Sequence, residues 1–313
     1  MRRLLLAALL PLAACGGDSG DDPRGAALAL DFQPNAVHAG IYTAERLGLD
    51  RENGVDLEIR VPAASTDSLK LLAAGRADMA VVDIHDLGIA RERGQDVVGV
   101  GALVQRPLAA VIAARGEVRR PRDLEGRRVG VTGLPSDEAL LRAVVEDDGG
   151  DFDQVERLMI GFSAVPALIA GRVDAVVSFW NAEGVALRER GVRTREFRVD
   201  EFGAPRYPEL VLAVERETLE DERALVDDVL AALRAGTRVA LADRPAAVAD
   251  IVRASGGDEP LIEAQFAAVA PALRPALVLR RPVLEEWARF DALFGILRTP
   301  PDVEQAFALP PSS

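Results

Sequence analysis

Short apolar runs alternate with stretches of helical spacing along most of the chain. Residues 26–32, 55–61, 77–82 and 97–104 are apolar or alternating and predict strands. Residues 39–49, 67–74 and 87–93 carry helical spacing between them, with breaks at Asn53-Gly54 and Gly75. The cycle then starts again. Residues 108–114 form an apolar run suited to pass between two lobes, 123–126 a turn, and 128–131 a buried strand. Ser136 and Asp137 are candidate caps for a helix reaching Val145, because their side-chain oxygens accept from its first free N–H groups. Residues 155–160, 165–170 and 173–179 read strand, helix, strand, and 209–214 read as a returning strand. Beyond Thr218 the pattern is nearly all helical, over 220–241, 245–254, 260–269 and 282–294. Pro245, Pro260 and Pro282 each stand where a helix can begin.

Strands separated by helices need crossover connections and hence a mostly parallel sheet. Two such blocks and a helical tail predict an α/β fold: a two-lobed clamshell with parallel-rich mixed sheets and C-terminal helices. One lobe takes 26–108 with 209–313, the other 109–208. The phrase Ala-Gly-Arg-x-Asp at 74–78 returns at 170–174, each time closing a helix and opening a strand, as duplicated lobes would have it.

Ahead of this pattern stand Arg2 and Arg3, an apolar run from Leu4 to Leu12, and the small residues Ala13 and Ala14 before Cys15. Charged, apolar, then small is the order of an export signal. The run is too short for a bilayer, which takes about 20 residues. Cys15, the sole cysteine, resembles the lipobox thiol that accepts a diacylglyceryl group in bacteria. The expectation is a signal peptide over 1–14, lipidation at Cys15 and a flexible tether over 15–25. Such a chain is membrane-anchored and extracytoplasmic, at the cell surface or in the periplasm, with no access to cytosolic ATP or reduced cofactors.

The formal charge of −13 deepens once the leader arginines are removed, and repels nucleic acid and anionic lipid. With Cys15 lipidated no thiol remains for a disulfide or cluster, and two histidines, His38 and His85, argue against a catalytic zinc site. No cofactor, metal or nucleic-acid partner is expected, and the chain reads as a monomer. At 49% hydrophobic it can bury a substantial core.

Several phrases carry a resemblance. They are Leu30-Asp31-Phe32-Gln33-Pro34-Asn35-Ala36-Val37-His38, then Ala74-Gly75-Arg76-Ala77-Asp78, Val104-Gln105-Arg106-Pro107-Leu108, Leu124-Glu125-Gly126-Arg127-Arg128-Val129-Gly130, Phe179-Trp180-Asn181-Ala182-Glu183-Gly184, and Phe202-Gly203-Ala204-Pro205-Arg206-Tyr207-Pro208-Glu209-Leu210. Together they resemble the bacterial solute-binding proteins of the thiamine-pyrimidine-precursor family, which are related to a eukaryotic pyrimidine synthase and more distantly to sulfonate-binding proteins. Asn-x-x-His with Trp-Asn-x-Glu-Gly is the more specific part; the Leu-Glu-Gly-Arg-Arg-Val-Gly piece occurs in many binding proteins.

The resemblance implies a type II periplasmic-binding-protein-like clamshell. Its partners would be an ABC permease and a small heteroaromatic ligand of the formylaminopyrimidine type. Riboflavin or an alkylsulfonate such as taurine is the alternative on the same fold, and a pyrimidine-precursor synthase is the alternative of another class. The family's synthases hold pyridoxal phosphate on a lysine where this chain has Val82. Their histidine falls near Asp86, beside His85, and their cysteine cluster is absent. A Schiff base needs an amine, and Lys70 lies on the preceding helix, so a non-enzyme is expected.

The candidate site follows from strand ends, where open α/β sheets bind ligands. Phe32 would line the floor after the first strand; Asn35 can donate and accept toward ring nitrogens, with His38 at the next helix start. Trp180 ends the strand 173–179 and offers a stacking face, with Asn181 beside it. Glu183 follows at a helix start, where its carboxylate meets the positive helix end and an exocyclic amine. Tyr207 would form the opposite face of an aromatic sandwich. Asp83 and His85 cluster with Asp86 at another strand end. The loop 132–136 offers free N–H groups to an anion, whereas the arginines of 190–198 mix with Glu189 and Glu196 and read as a solvated face.

Overall fold

The computed structural model describes residues 22–62, 67–114 and 116–309. Cys15, the leader and most of the tether lie outside the described residues. The first sheet has the order β2-β1-β3-β10-β4. Its strands are β1 (Arg24–Ala29), β2 (Val55–Arg60), β3 (Met79–Asp83), β4 (Val97–Ala102) and β10 (Leu210–Glu215). The second has the order β7-β6-β8-β5-β9. It comprises β5 (Ala109–Ala114), β6 (Arg128–Val131), β7 (Glu156–Met159), β8 (Ala175–Phe179) and β9 (Thr194–Arg198). In the first sheet β1 runs parallel to β2 and β3, and β10 returns antiparallel between β3 and β4. In the second β6 runs parallel to β7 and β8, and β5 lies antiparallel between β8 and β9. The chain crosses from one sheet to the other before β5 and returns before β10. β1 begins inside the stretch read as tether, because Arg24 already pairs with Val55 and donates to the Gly54 carbonyl.

The repeated Ala-Gly-Arg-x-Asp phrase does the same work twice. Gly75 and Gly171 turn out of their helices at φ of 61° and 65°, the left-handed region that glycine enters without a Cβ penalty. The Asp78 carboxylate then accepts the Ala27 N–H at 2.7 Å, while its own N–H donates to the Ala27 carbonyl. Asp174 repeats both bonds on Arg128, at 3.0 Å and 2.8 Å. Each aspartate thus fixes the start of a central strand against its parallel neighbour.

Two expected boundaries differ. Neither Ser136 nor Asp137 is the cap of the helix Pro135–Asp147; the cap is Leu134, with Pro135 in the first turn. The Asp137 carboxylate instead reaches back to the N–H groups of Thr132 and Gly133 and to the Thr132 hydroxyl. The long helix expected over 220–241 is two, Arg216–Asp221 and Arg223–Ala242, joined at Glu222. The longer one crosses the helix Ala39–Leu47 at a glycine pair. A Cβ on Gly236 would strike the Gly40 carbonyl, and one on Gly40 would strike Thr237.

The crossing segments between the lobes bury an ionisable cluster. Glu209, 1% exposed, accepts the Leu108 N–H at 2.6 Å, so a carboxylate on the returning crossing holds the outgoing one. Its carbonyl accepts the Ile84 N–H at 3.0 Å. Asp83 caps the helix Ile84–Glu92 by accepting the His85 N–H at 2.7 Å. The His85 Nδ1 lies 2.8 and 2.9 Å from the two carboxylate oxygens of Asp291, on the helix Arg281–Leu293. Tyr207 packs edge-on to His85 with ring centroids 4.8 Å apart. Burial alone would lower the His85 pKa, but the charge and hydrogen bond of Asp291, with Asp83 and Glu209 behind it, push it up to about 10. Burial raises Asp83, Asp86 and Glu209 above the ordinary carboxylate range, against the lowering effect of His85.

Gly236→Ala should destabilise the protein by about 1–3 kcal/mol, the range for overpacking a filled interface, measured by urea denaturation. The buried cluster sets a pH slope. All these groups hold protons more tightly folded than unfolded, so stability must fall as pH rises. The His85 contribution is complete below 6.5 and lost by about 10; the carboxyl contributions decline above their ordinary range. Denaturation midpoints followed by circular dichroism should drop across pH 6.5–10, and Asp291→Asn should flatten that drop.

Candidate functional site

The first-lobe wall of the cleft is the turn that follows β1. Asn35 caps the short 3-10 helix Ala36–His38: its Oδ1 accepts the Val37 N–H at 3.0 Å and its Nδ2 donates to the Gln33 carbonyl at 3.0 Å. His38 is fully buried. Its Nδ1 accepts the Asn35 N–H at 3.2 Å, which leaves the proton on Nε2, directed at Asp31 Oδ1 2.7 Å away. His38 therefore locks the turn from beneath, and no ring nitrogen remains for a ligand; its expected contact role becomes one of positioning. Asn35 is half-buried, and each of its polar groups keeps one further bonding direction. The turn presents Phe32, 43% exposed, at the lip.

The second-lobe wall is the end of β8. Phe179 is the last residue of β8, and Trp180 lies in the turn after it. The structure buries Trp180 to 2% exposure, with its Nε1–H donated to the Pro107 carbonyl at 3.0 Å and the Arg198 guanidinium 4.1 Å from its ring centre. The stacking face expected of Trp180 is thus covered, and the indole belongs to the base of the crossing. Phe179 remains half-buried at the strand end. Asn181 is 3% exposed, and its Oδ1 has no hydrogen-bond partner among the described residues. Glu183 opens the helix Glu183–Glu189, and its carboxylate accepts the Phe179 N–H at 3.1 Å. Burial pushes the Glu183 pKa up, opposed by hydrogen bonds from its own backbone, Phe179 and the Ser178 side chain.

The two walls meet at the mouth. Phe162, 67% exposed after β7, lies with its ring centroid 6.0 Å from that of Phe32. The helix Glu259–Val269 packs on both the Ala36–His38 turn and the Glu183–Glu189 helix, and Gln265 donates to the Ala182 carbonyl at 3.4 Å. Asn35 and Glu183 thus stand on elements that pack on one shared helix, and Phe32 meets Phe162 across the gap between the sheets. The structure withdraws Asp83, His85 and Tyr207 into the hinge cluster: Tyr207 has no exposed surface, so it forms no sandwich. The N–H groups of loop 132–136 expected to meet an anion are partly taken by Asp137. Val82 is a buried β3 residue, and Lys70 sits on its exposed helix paired with Asp67 at 2.9 Å.

Sequence reasoning missed Asp31, Phe162 and Phe179. Phe179 had a signal, since it precedes Trp180 at the same strand end; that Trp180 is the covered one depends on Pro107 and Arg198. A cavity of about 860 Å³ lies elsewhere, along the β9 edge of the second lobe, where Arg120 pairs with Asp148 and Arg188 with Glu196.

This chain is 35% identical over 222 residues to the formylaminopyrimidine-binding protein of Halalkalibacterium halodurans, covering 69% of this chain and 67% of that protein. It is 25% identical over 176 residues to the 4-amino-5-hydroxymethyl-2-methylpyrimidine phosphate synthase of Legionella pneumophila, covering 56% of this chain and 55% of that one. The chain thus spans about two thirds of the first relative and little more than half of the second. The crystal structure of the periplasmic aliphatic sulphonate binding protein SsuA from Escherichia coli matches with a TM-score of 0.75 at 18% identity, over 91% of this chain and 97% of that one. That likeness is one of fold, α/β and two-lobed. The family description NMT1/THI5 like matches residues 35–247, and the chain belongs to that family.

Proposed function

We propose that this protein is a lipid-anchored, extracytoplasmic solute-binding protein that delivers a formylaminopyrimidine-type thiamine precursor to an ABC permease. The observation that carries the reading is the Glu183 carboxyl, in the first turn of the helix after β8, bonded to the Phe179 N–H and with its pKa raised by burial. Such a group suits an aminopyrimidine. One oxygen accepts from the exocyclic amine while the other shares a proton with the ring nitrogen, two parallel charge-assisted bonds. Phe179 and Phe32 supply apolar faces, the unpaired Asn181 Oδ1 supplies a further acceptor, and Phe162 covers the mouth. The name of the Halalkalibacterium halodurans relative points the same way. Binding favours closure only through its differential affinity for the closed lobes.

A sulfonate is the weaker reading. It calls for a free arginine or free loop N–H groups, and Arg198 is engaged by Trp180 and Glu196 while Asp137 occupies loop donors. The synthase reading lacks an amine on β3, so binding without chemistry is the reading adopted.

Calorimetry with formylaminopyrimidine should give a single site, and Glu183→Ala should weaken it tenfold or more, about 1.4 kcal/mol. Trp180→Ala should instead act mainly on stability, at about 3–5 kcal/mol. Absence of binding to formylaminopyrimidine, hydroxymethylpyrimidine and thiamine would remove the reading. Phe162→Ala should raise the pyrimidine dissociation rate more than it changes association, because mutational affinity losses fall mostly on release; stopped-flow displacement reads this directly.

A further inference from the structure

The pleat of β9 sorts its arginines. Along this strand Thr194, Glu196 and Arg198 alternate with Arg195 and Phe197, so the two sets face opposite sides. Glu196 lies on the side of the helix Glu183–Glu189, against Gly184, and accepts from Arg188 and, at 3.3 Å, from Arg198. Arg195 and Phe197 lie on the other side. There Arg195 donates to the Arg119 carbonyl at 2.5 Å, and Phe197 meets Phe202 edge-on with centroids 5.7 Å apart. The cavity of about 860 Å³ runs along this edge, and its volume falls in the range of small-molecule sites.

The charges that line it do not cancel. Five arginines, Arg119, Arg120, Arg188, Arg193 and Arg195, stand against Asp148, Glu196 and Glu201. Each of these carboxylates is committed. Asp148 accepts from the Arg120 Nε at 2.7 Å and from the Arg122 N–H at 3.1 Å. Glu196 is shared by Arg188 and Arg198, and Glu201 lies 3.9 Å from Arg106. Arg119, Arg193 and Arg195 are exposed, and none of their side chains has a carboxylate partner among the described residues. Arg195 spends one donor on a neutral carbonyl, which leaves its charge unanswered. The loop that carries Arg119 is fixed, because Asp123, outside the lining, accepts the N–H groups of Arg119 and Arg120 at 2.8 and 3.1 Å.

We propose that this groove is a binding site for a compact polyanion of the phosphate class. Guanidinium forks match phosphate oxygens in bidentate pairs. A tetrahedral phosphoryl group presents its oxygens around an axis, so it can accept from guanidiniums that arrive from separate segments, here a loop and an edge strand. A carboxylate presents its oxygens in one plane. The occupant is small because the whole chain carries a formal charge of −13, which repels an extended polyanion or an anionic membrane, whereas a compact anion meets the local arginines. The groove lies on β9, at the opposite edge of its sheet from β7, and does not rest on the pyrimidine reading.

The test titrates the purified full-length chain with pyrophosphate at low ionic strength, by calorimetry, with citrate as a carboxylate of comparable charge. Pyrophosphate should bind saturably at one site, and citrate about fivefold more weakly or less. Arg119→Gln, Arg193→Gln and Arg195→Gln should each weaken pyrophosphate about fivefold, the upper range for an exposed ion pair, with the melting temperature unchanged. Arg238→Gln removes the same charge from an exposed position of the helix Arg223–Ala242 and should change nothing. Absent saturation, or an equal loss on Arg238→Gln, overturns the site, since the attraction would then be diffuse. Citrate binding as tight as pyrophosphate overturns the phosphate assignment. Co-sedimentation with phosphatidylglycerol vesicles that Arg195→Gln abolishes, without pyrophosphate binding, would make the edge a membrane-facing surface and overturn the proposal. Formylaminopyrimidine enters no arm of the titration, so failure here leaves the earlier reading untouched.

Discussion

Glu209 holds together the two segments on which the lobes meet. A carboxylate taken from water carries a heavy desolvation cost, and the structure offsets it with the N–H of Leu108 and the nearby charge of His85. His85 in turn depends on Asp291, which sits on a helix from the far end of the chain. The hinge is thus interdependent: without Asp291 the His85 Nδ1 would be buried with no counterpart, and the His85 Nε2 and Tyr207 hydroxyl have no hydrogen-bond partner among the described residues. The positions of β5 and β10, and so the separation of the cleft walls, rest on this cluster.

The cleft uses opposite means. Its mouth is aromatic and partly exposed, with Phe32 and Phe162 meeting from different sheets. Its polar groups are few, and most hold the walls in shape. Asn35, His38 and Asp31 form one bonded turn, and Glu183 closes on the N–H of Phe179. On the proposed reading, walls held this way set the geometry before a ligand arrives, which lowers the ordering cost of association.

Much of the architecture was legible because its causes are local. Period-two and helical patterns located most elements, and the repeated Ala-Gly-Arg-x-Asp phrase marked equivalent joints in both lobes, each closed by an aspartate on a backbone pair. Glu183 was legible for the same reason, as a carboxylate in the first turn of a helix. What was not legible depends on partners distant in sequence. His85 and Asp291 are 206 positions apart, and Trp180 meets Pro107 across 73. Nothing near Tyr207 in the sequence says that a histidine on one side and Phe290 on the other will enclose it. Proline fixed the first turn at Leu134-Pro135, where side-chain caps were expected at the next two positions.

The covered indole has a practical consequence. Trp180 and Trp287 are the only tryptophans, and both are shielded from solvent. Trp287 sits inside the first lobe, whereas Trp180 lies under a guanidinium and is hydrogen-bonded to the outgoing crossing. Rotation about the crossing would shift Pro107 and Arg106, whose guanidinium stands 5.7 Å from the ring centre, against one indole and leave the other alone. The molecule carries its own optical gauge of hinge angle, with an internal reference, and no dye is needed to watch it move.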